Sequence, residues 1–112
     1  MVIAKARQLR IYSTESGKKP FDEWVKNLRD PPTVRRIQAR LAGVIAGNLG
    51  DMKPIGDGVS ELRLDFGPGY RIYFGIDGDE LIILLCGGNK SSQDRDTRKA
   101  KEYLVDYWRQ NS

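Results

Sequence analysis

The chain of 112 residues reads as an α+β domain, an antiparallel-rich β-sheet with an N-terminal helical hairpin on one face and a C-terminal helix. Three observations predict this. Between Val59 and Lys90 stand three consecutive strand-like runs, two of which alternate apolar and polar residues. Two stretches before them and one after place apolar residues at helical spacing. The length suits one hydrophobic core and is too short for two, so residues 1–112 form a single domain in the order β-α-α-β-β-β-α.

The first strand is expected over Ile3–Ser13, whose end is β-branched and aromatic. Thr14–Lys19 is a polar turn. Pro20 suits the first turn of a helix that carries Phe21, Trp24, Val25 and Leu28 at i, i+3, i+4 and i+7, with Asp22 and Glu23 near the positive end of its dipole. Asp30-Pro31-Pro32 interrupts it, because a residue before proline is pushed out of the helical region. Asp30 is placed to cap a second helix from about Pro32 to Ala46, with Val34, Ile37, Leu41, Val44 and Ile45 as its apolar stripe. So short a linker predicts an antiparallel helical hairpin on one face of the sheet.

Asn48–Gly58 is rich in Gly, Pro and Asp and is expected to be a loop. In the strands that follow, Leu62 and Leu64 oppose Arg63 and Asp65, and Tyr70, Ile72 and Phe74 oppose Arg71 and Tyr73. Phe66-Gly67-Pro68-Gly69 and Asp77-Gly78-Asp79 are the two connecting turns. Leu81–Cys86 is apolar throughout, as in an inner strand covered on both faces. Ser91 or Ser92 is placed to cap a last helix, on which Ala100, Tyr103, Leu104, Tyr107 and Trp108 form a stripe read as core packing, the alternative being that part of it is a docking surface for another chain.

Composition narrows the function. Charged residues make up 30% and hydrophobic residues 39%, the balance of an ordinary globular protein. The longest apolar run is far too short to cross a bilayer, and no apolar segment follows Lys5, Arg7 and Arg10, so no secretory signal is visible and a cytoplasmic location is expected. A lone Cys86 offers neither a disulfide nor metal-ligand spacing and reads as a buried hydrophobe. The absence of histidine excludes Ser-His-Asp and Cys-His nucleophile arrangements and leaves Lys, Tyr, Arg and carboxylates for proton transfer. A net charge of +4 leans weakly toward a polyanion.

If the apolar sets of the first two strands face one core, Arg63, Arg71 and Tyr73 share the opposite, wet face and form a small cationic site. The competing use of these guanidiniums is in cross-strand ion pairs, Arg63 with Asp65 or Arg71 with Glu61.

The segments FDEWVKNLRD, GDGVSELR, GPGYRIYF and LLCGGNKSSQDRDTRKAKEY resemble the RelE/ParE superfamily of bacterial type II toxins, in the HigB-like branch of phage-derived addiction-module killer proteins, over nearly the whole chain. The resemblance implies a compact RNase-like fold and a ribosome-dependent mRNA endonuclease (mRNA interferase) that inhibits translation, without cofactor or metal. Its chemistry would be attack of a ribose 2′-hydroxyl on the adjacent phosphate. Arg71, in the GYR motif, matches the arginine that stabilises the phosphorane, and Arg63 shares that role. Lys90 matches a basic proton donor or phosphate ligand. Tyr73 lies beside Arg71 to orient a group or stack on a base. Arg95 and Arg98 complete the RNA-binding set with Arg63, Arg71 and Lys90. The chain departs from RelE in SSQDRDTRK, where Gln93, Asp94 and Asp96 stand without the expected aromatic residue. Expected partners are the ribosome, mRNA and a cognate HigA-like helix-turn-helix antitoxin, with no membrane. The alternatives are a ParE-type gyrase inhibitor acting by binding alone and a remnant that binds only its antitoxin.

Overall fold

A computed structural model describes residues 7–78 and 81–112. Its elements are β1 (Gln8–Ile11), α1 (Pro20–Leu28), α2 (Pro31–Ile45), β2 (Met52–Gly56), β3 (Val59–Arg63), β4 (Arg71–Asp77), β5 (Leu81–Gly88), a 3₁₀ turn at Lys90–Ser92, and α3 (Gln93–Gln110). The expected first strand is present in its later part; residues 3–6 lie outside the described residues, as does Asp79 of the second turn.

One five-stranded sheet in the order β1-β5-β4-β3-β2 organises the chain. β1 pairs parallel to β5, and every other pairing is antiparallel. The α+β class with a C-terminal helix therefore holds, on a sheet that is mixed. No described helix is long and apolar enough to cross a membrane.

Period-two alternation sends the strand side chains into two cores. On one face Leu62, Leu64, Ile72, Phe74, Ile82 and Leu84 pack with Phe21 of α1 and with Ile37 and Val44 of α2. This is the face expected for the helical pair. On the other face Val59, Tyr73, Ile83, Leu85 and Cys86 pack with Ala100, Leu104 and Tyr107 of α3 and with Tyr12. β5 is thus covered on both sides, which accounts for its unbroken apolar run.

Three expectations are corrected. Asn48–Gly58 is not wholly loop: it contains β2, joined to β3 by a two-residue turn at Asp57-Gly58, both with positive φ (56° and 80°). Asp-Gly is the pair such a tight hairpin favours, and Pro54 is tolerated because β2 lies at the sheet edge, where a missing N–H costs little. Ser92 does occupy the N-cap position of α3, but its side chain caps no backbone N–H of that helix; the capping box belongs to the 3₁₀ turn before it, where the Asn89 side chain accepts from Ser91 N and Ser92 N while Ser92 Oγ accepts from Asn89 N. The carboxylate of Asp30 caps no backbone N–H and instead accepts from Thr33 Oγ1 at 2.5 Å.

The core stripe of α3 is also narrower than expected. Ala100, Leu104 and Tyr107 are buried and Tyr103 partly so, whereas Trp108 and Val105 are exposed.

Candidate functional site

The three expected basic residues of the strands converge at one end of the sheet because β3 ends, β4 begins and β5 ends there. Arg63 stands directly opposite Arg71 across β3 and β4, and Arg71 opposite Gly88 across β4 and β5. Lys90 follows two residues later, exposed, its backbone N–H donating to Pro68 O at 3.3 Å. That bond ties the β5–α3 corner to the β3–β4 turn.

The face that carries Arg71 and Tyr73 is not open, because α3 lies over it. Tyr73 is 0% exposed, and no base can stack on a ring so enclosed. Among the described residues its hydroxyl, near Thr97, finds no partner at hydrogen-bonding distance. Burial, and then the charge of Glu61, push its pKa well above the usual tyrosine value. Tyr73 therefore remains a neutral phenol at physiological pH, and the expected role of stacking on a base is corrected to packing beneath the site.

Arg71 is held from below. Its Nη1 donates to Glu61 Oε1 at 2.5 Å, with side chains 13% and 1% exposed. The second carboxylate oxygen of Glu61 accepts from Gln93 Nε2 at 3.0 Å. Both oxygens of a buried carboxylate are thereby engaged, as burial of a charge demands. Arg71 Nε is buried and has no hydrogen-bond partner among the described residues. Charge-assisted hydrogen bonds of this kind are short and directional, so the guanidinium cannot wander.

Arg63 sits differently. Its Nη2 and Nε donate to Asp51 Oδ1 at 2.8 and 3.2 Å, with side chains 43% and 56% exposed. The partner is Asp51, before β2, and not the expected Asp65. A pair this wet contributes about 0–1 kcal/mol and opens readily to an incoming anion.

Gly88 sets the approach of α3. A Cβ there would collide with Asp96 Oδ2 and stand 2.9 Å from Ser92 Oγ. Asp96 is buried and accepts from Ser92 Oγ at 2.5 Å, which fixes the first turn of α3 over the end of β5. Arg95 and Arg98 point from that helix into solvent as exposed residues.

No family model matches the chain. It is similar to an uncharacterized protein of Haemophilus influenzae, 46% identical over 81 residues that cover 72% of this chain and 82% of the Haemophilus protein. The chain belongs to one family with that protein.

Within this family member, Arg63, Arg71 and Lys90 meet at one sheet end, while Tyr73 lies beneath them. The residues that sequence reasoning placed least well are Glu61 and Gln93. Glu61 shares the parity of Arg63 and Tyr73 along antiparallel neighbours, so the pairing with Arg71 was visible as a cross-strand ion pair. Its burial was not, since it depends on α3. Gln93 was visible as one of the polar residues standing where the resemblance expects an aromatic, but its bond to Glu61 was not. Chemically the arrangement offers one fixed guanidinium, one loosely paired guanidinium and one exposed ammonium, a set suited to a phosphate. Among the described residues no group of three or more Cys, Asp or Glu stands together to hold a metal ion.

Proposed function

We propose that the chain is the toxin of a type II toxin–antitoxin module, a HigB-like ribosome-dependent mRNA endonuclease of the RelE/ParE superfamily, neutralised by a HigA-like helix-turn-helix antitoxin. The observation that carries this reading is Arg71, fixed by Glu61 at the sheet end, with Arg63 opposite it on β3 and Lys90 two residues beyond its β5 partner Gly88. In the proposed reaction the 2′-hydroxyl oxygen bonds to the adjacent phosphorus and the bond to the 5′-oxygen breaks, leaving a 2′,3′-cyclic phosphate and a 5′-hydroxyl. Arg71 donates to the non-bridging oxygens as their charge grows, the moment at which such a donor lowers the barrier. Lys90 protonates the departing 5′-oxygen. Glu61, with both oxygens engaged, fixes Arg71 and does not collect the 2′-hydroxyl proton, which passes to a group of the ribosome or the RNA.

A second reading has its own observation. Both strand arginines already hold carboxylates, as they would in a ParE-like protein that blocks gyrase by binding and performs no chemistry. Induction of wild type and Lys90→Ala in cells without antitoxin, followed by primer extension on abundant transcripts, separates the two. New 5′ ends in register with codons, reduced about 10²–10³-fold in the variant, are expected. Growth arrest with intact transcripts overturns the nuclease and leads to a supercoiling assay.

A further inference from the structure

We infer that the cleft between α2 and the end of β3 receives one base of a single-stranded RNA beside the phosphate held at Arg71, an inference that rests on the nuclease reading. The cleft has a volume of about 470 Å³ and is lined by Arg36, Arg40, Arg63, Leu64 and Phe66. That lies within the range of about 300–1,000 Å³ usual for small-ligand sites.

Its wall is built for a flat ligand. The guanidinium of Arg36 lies over the Phe66 ring, 3.8 Å from the centroid. Phe66 is backed by Tyr70 at 5.6 Å, and Tyr70 by Trp24 at 6.0 Å, so the platform has rigid support. Bases of single-stranded RNA stack on aromatic rings and on guanidinium planes alike. Arg36 is exposed and has no ion pair among the described residues, leaving its outer plane open to a base. Arg40, also in the lining, has its guanidinium engaged, donating to the carbonyl oxygens of Asn48 and Leu49.

Two carboxylates also line the cleft. Asp51 is bound to Arg63 and Asp65 is exposed. They offset two of the three guanidiniums of the lining, so the cleft lacks the concentrated positive charge of a phosphate site and suits an uncharged base. Arg63 belongs to both places, since it lines the cleft and stands opposite Arg71 in the sheet. A nucleotide chain whose phosphate rests on Arg71 therefore reaches the cleft across a single residue.

The test is an NMR titration of the full chain with a 2′-O-methyl trinucleotide, which cannot be cleaved, at low salt. Signals of Arg36, Arg63 and Phe66 are expected to shift together, and Arg36→Gln, a change at an exposed side chain, is expected to weaken binding about 5–100-fold with the fold intact. Shifts confined to Arg71 and Lys90 would overturn the cleft and leave the nuclease reading standing. Equal shifts at Arg36 and Phe66 with inorganic phosphate would mark a plain anion site and overturn the base. Absence of any shift would overturn the cleft as well, the nuclease reading then being decided by primer extension alone.

Discussion

Replacing Arg71 with alanine strips the partner from a carboxylate that is 1% exposed and leaves its second oxygen bonded to Gln93 alone. Breaking a buried pair from one side costs about 3–5 kcal/mol, because the remaining charge is neither hydrated nor compensated. A domain of this size has about 5–15 kcal/mol in total. With a urea slope of about 1–3 kcal/mol/M, the unfolding midpoint falls by about 1–5 M. Arg63→Ala, acting on a pair 43% and 56% exposed, is the control and costs about 0–1 kcal/mol. Urea unfolding followed by tryptophan fluorescence compares the two variants directly. The double change Glu61→Leu with Arg71→Met removes both charges and recovers most of the loss. Should Arg71→Ala and Arg63→Ala fall within about 1 kcal/mol of each other, the view of Glu61 as an enclosed anchor is wrong. Loss of activity in Arg71→Ala has to be read against this cost, which makes the exposed Lys90 the cleaner probe of chemistry.

Two further outcomes follow from the packing of α3. Gly88→Ala forces Asp96 and Ser92 away from β5 and lowers stability by about 1–3 kcal/mol, measured by thermal melting; an unchanged melting temperature would refute the close approach. Burial, and then the Asp96 carboxylate, push the Cys86 thiol from 9.0 up to about 12, and burial raises Tyr12, Tyr73 and Tyr103 as well. The folded state holds these protons more tightly than the unfolded chain, so their contribution is complete below about pH 9 and is lost as pH rises toward 12. Urea midpoints should fall over that window and fall less steeply in Cys86→Ala; an identical slope in the variant would remove Cys86 from the account.

The helices were legible because Phe21, Trp24, Val25 and Leu28 in α1, and Ile37, Leu41 and Val44 in α2, recur at helical spacing and pack in the core on the same sheet face. The inner position of β5 was legible from its unbroken apolar run. What period-two alternation could not convey is the fate of a polar face. Glu61, Arg71 and Tyr73 alternate just as solvated residues do, and only the docking of α3 turns them into an enclosed triad. β2 was hidden for a different reason. Gly50, Pro54, Gly56 and Gly58 made the segment look like loop, and the Asp57-Gly58 turn signal was outweighed by that composition although it marks the hairpin. The base-stacking wall was hidden because Arg36, Phe66, Tyr70 and Trp24 come from three separate parts of the chain.

The parallel pairing of β1 with β5 joins Gln8 to Leu81, so the first strand waits for a neighbour made about seventy residues later. During synthesis, which adds about 5–20 residues per second, the hairpins β2–β3–β4 can form while β1 has no partner and β4 presents a bare edge. Arg71 belongs to that early piece, but Lys90 and the helix that encloses Glu61 do not. Closing so long a loop is also the slow kind of step in folding. Arg71, Lys90 and the helix that encloses Glu61 therefore come together only after the chain beyond β5 is free to fold, so the buried Glu61–Arg71 pair is among the last parts of the molecule to close.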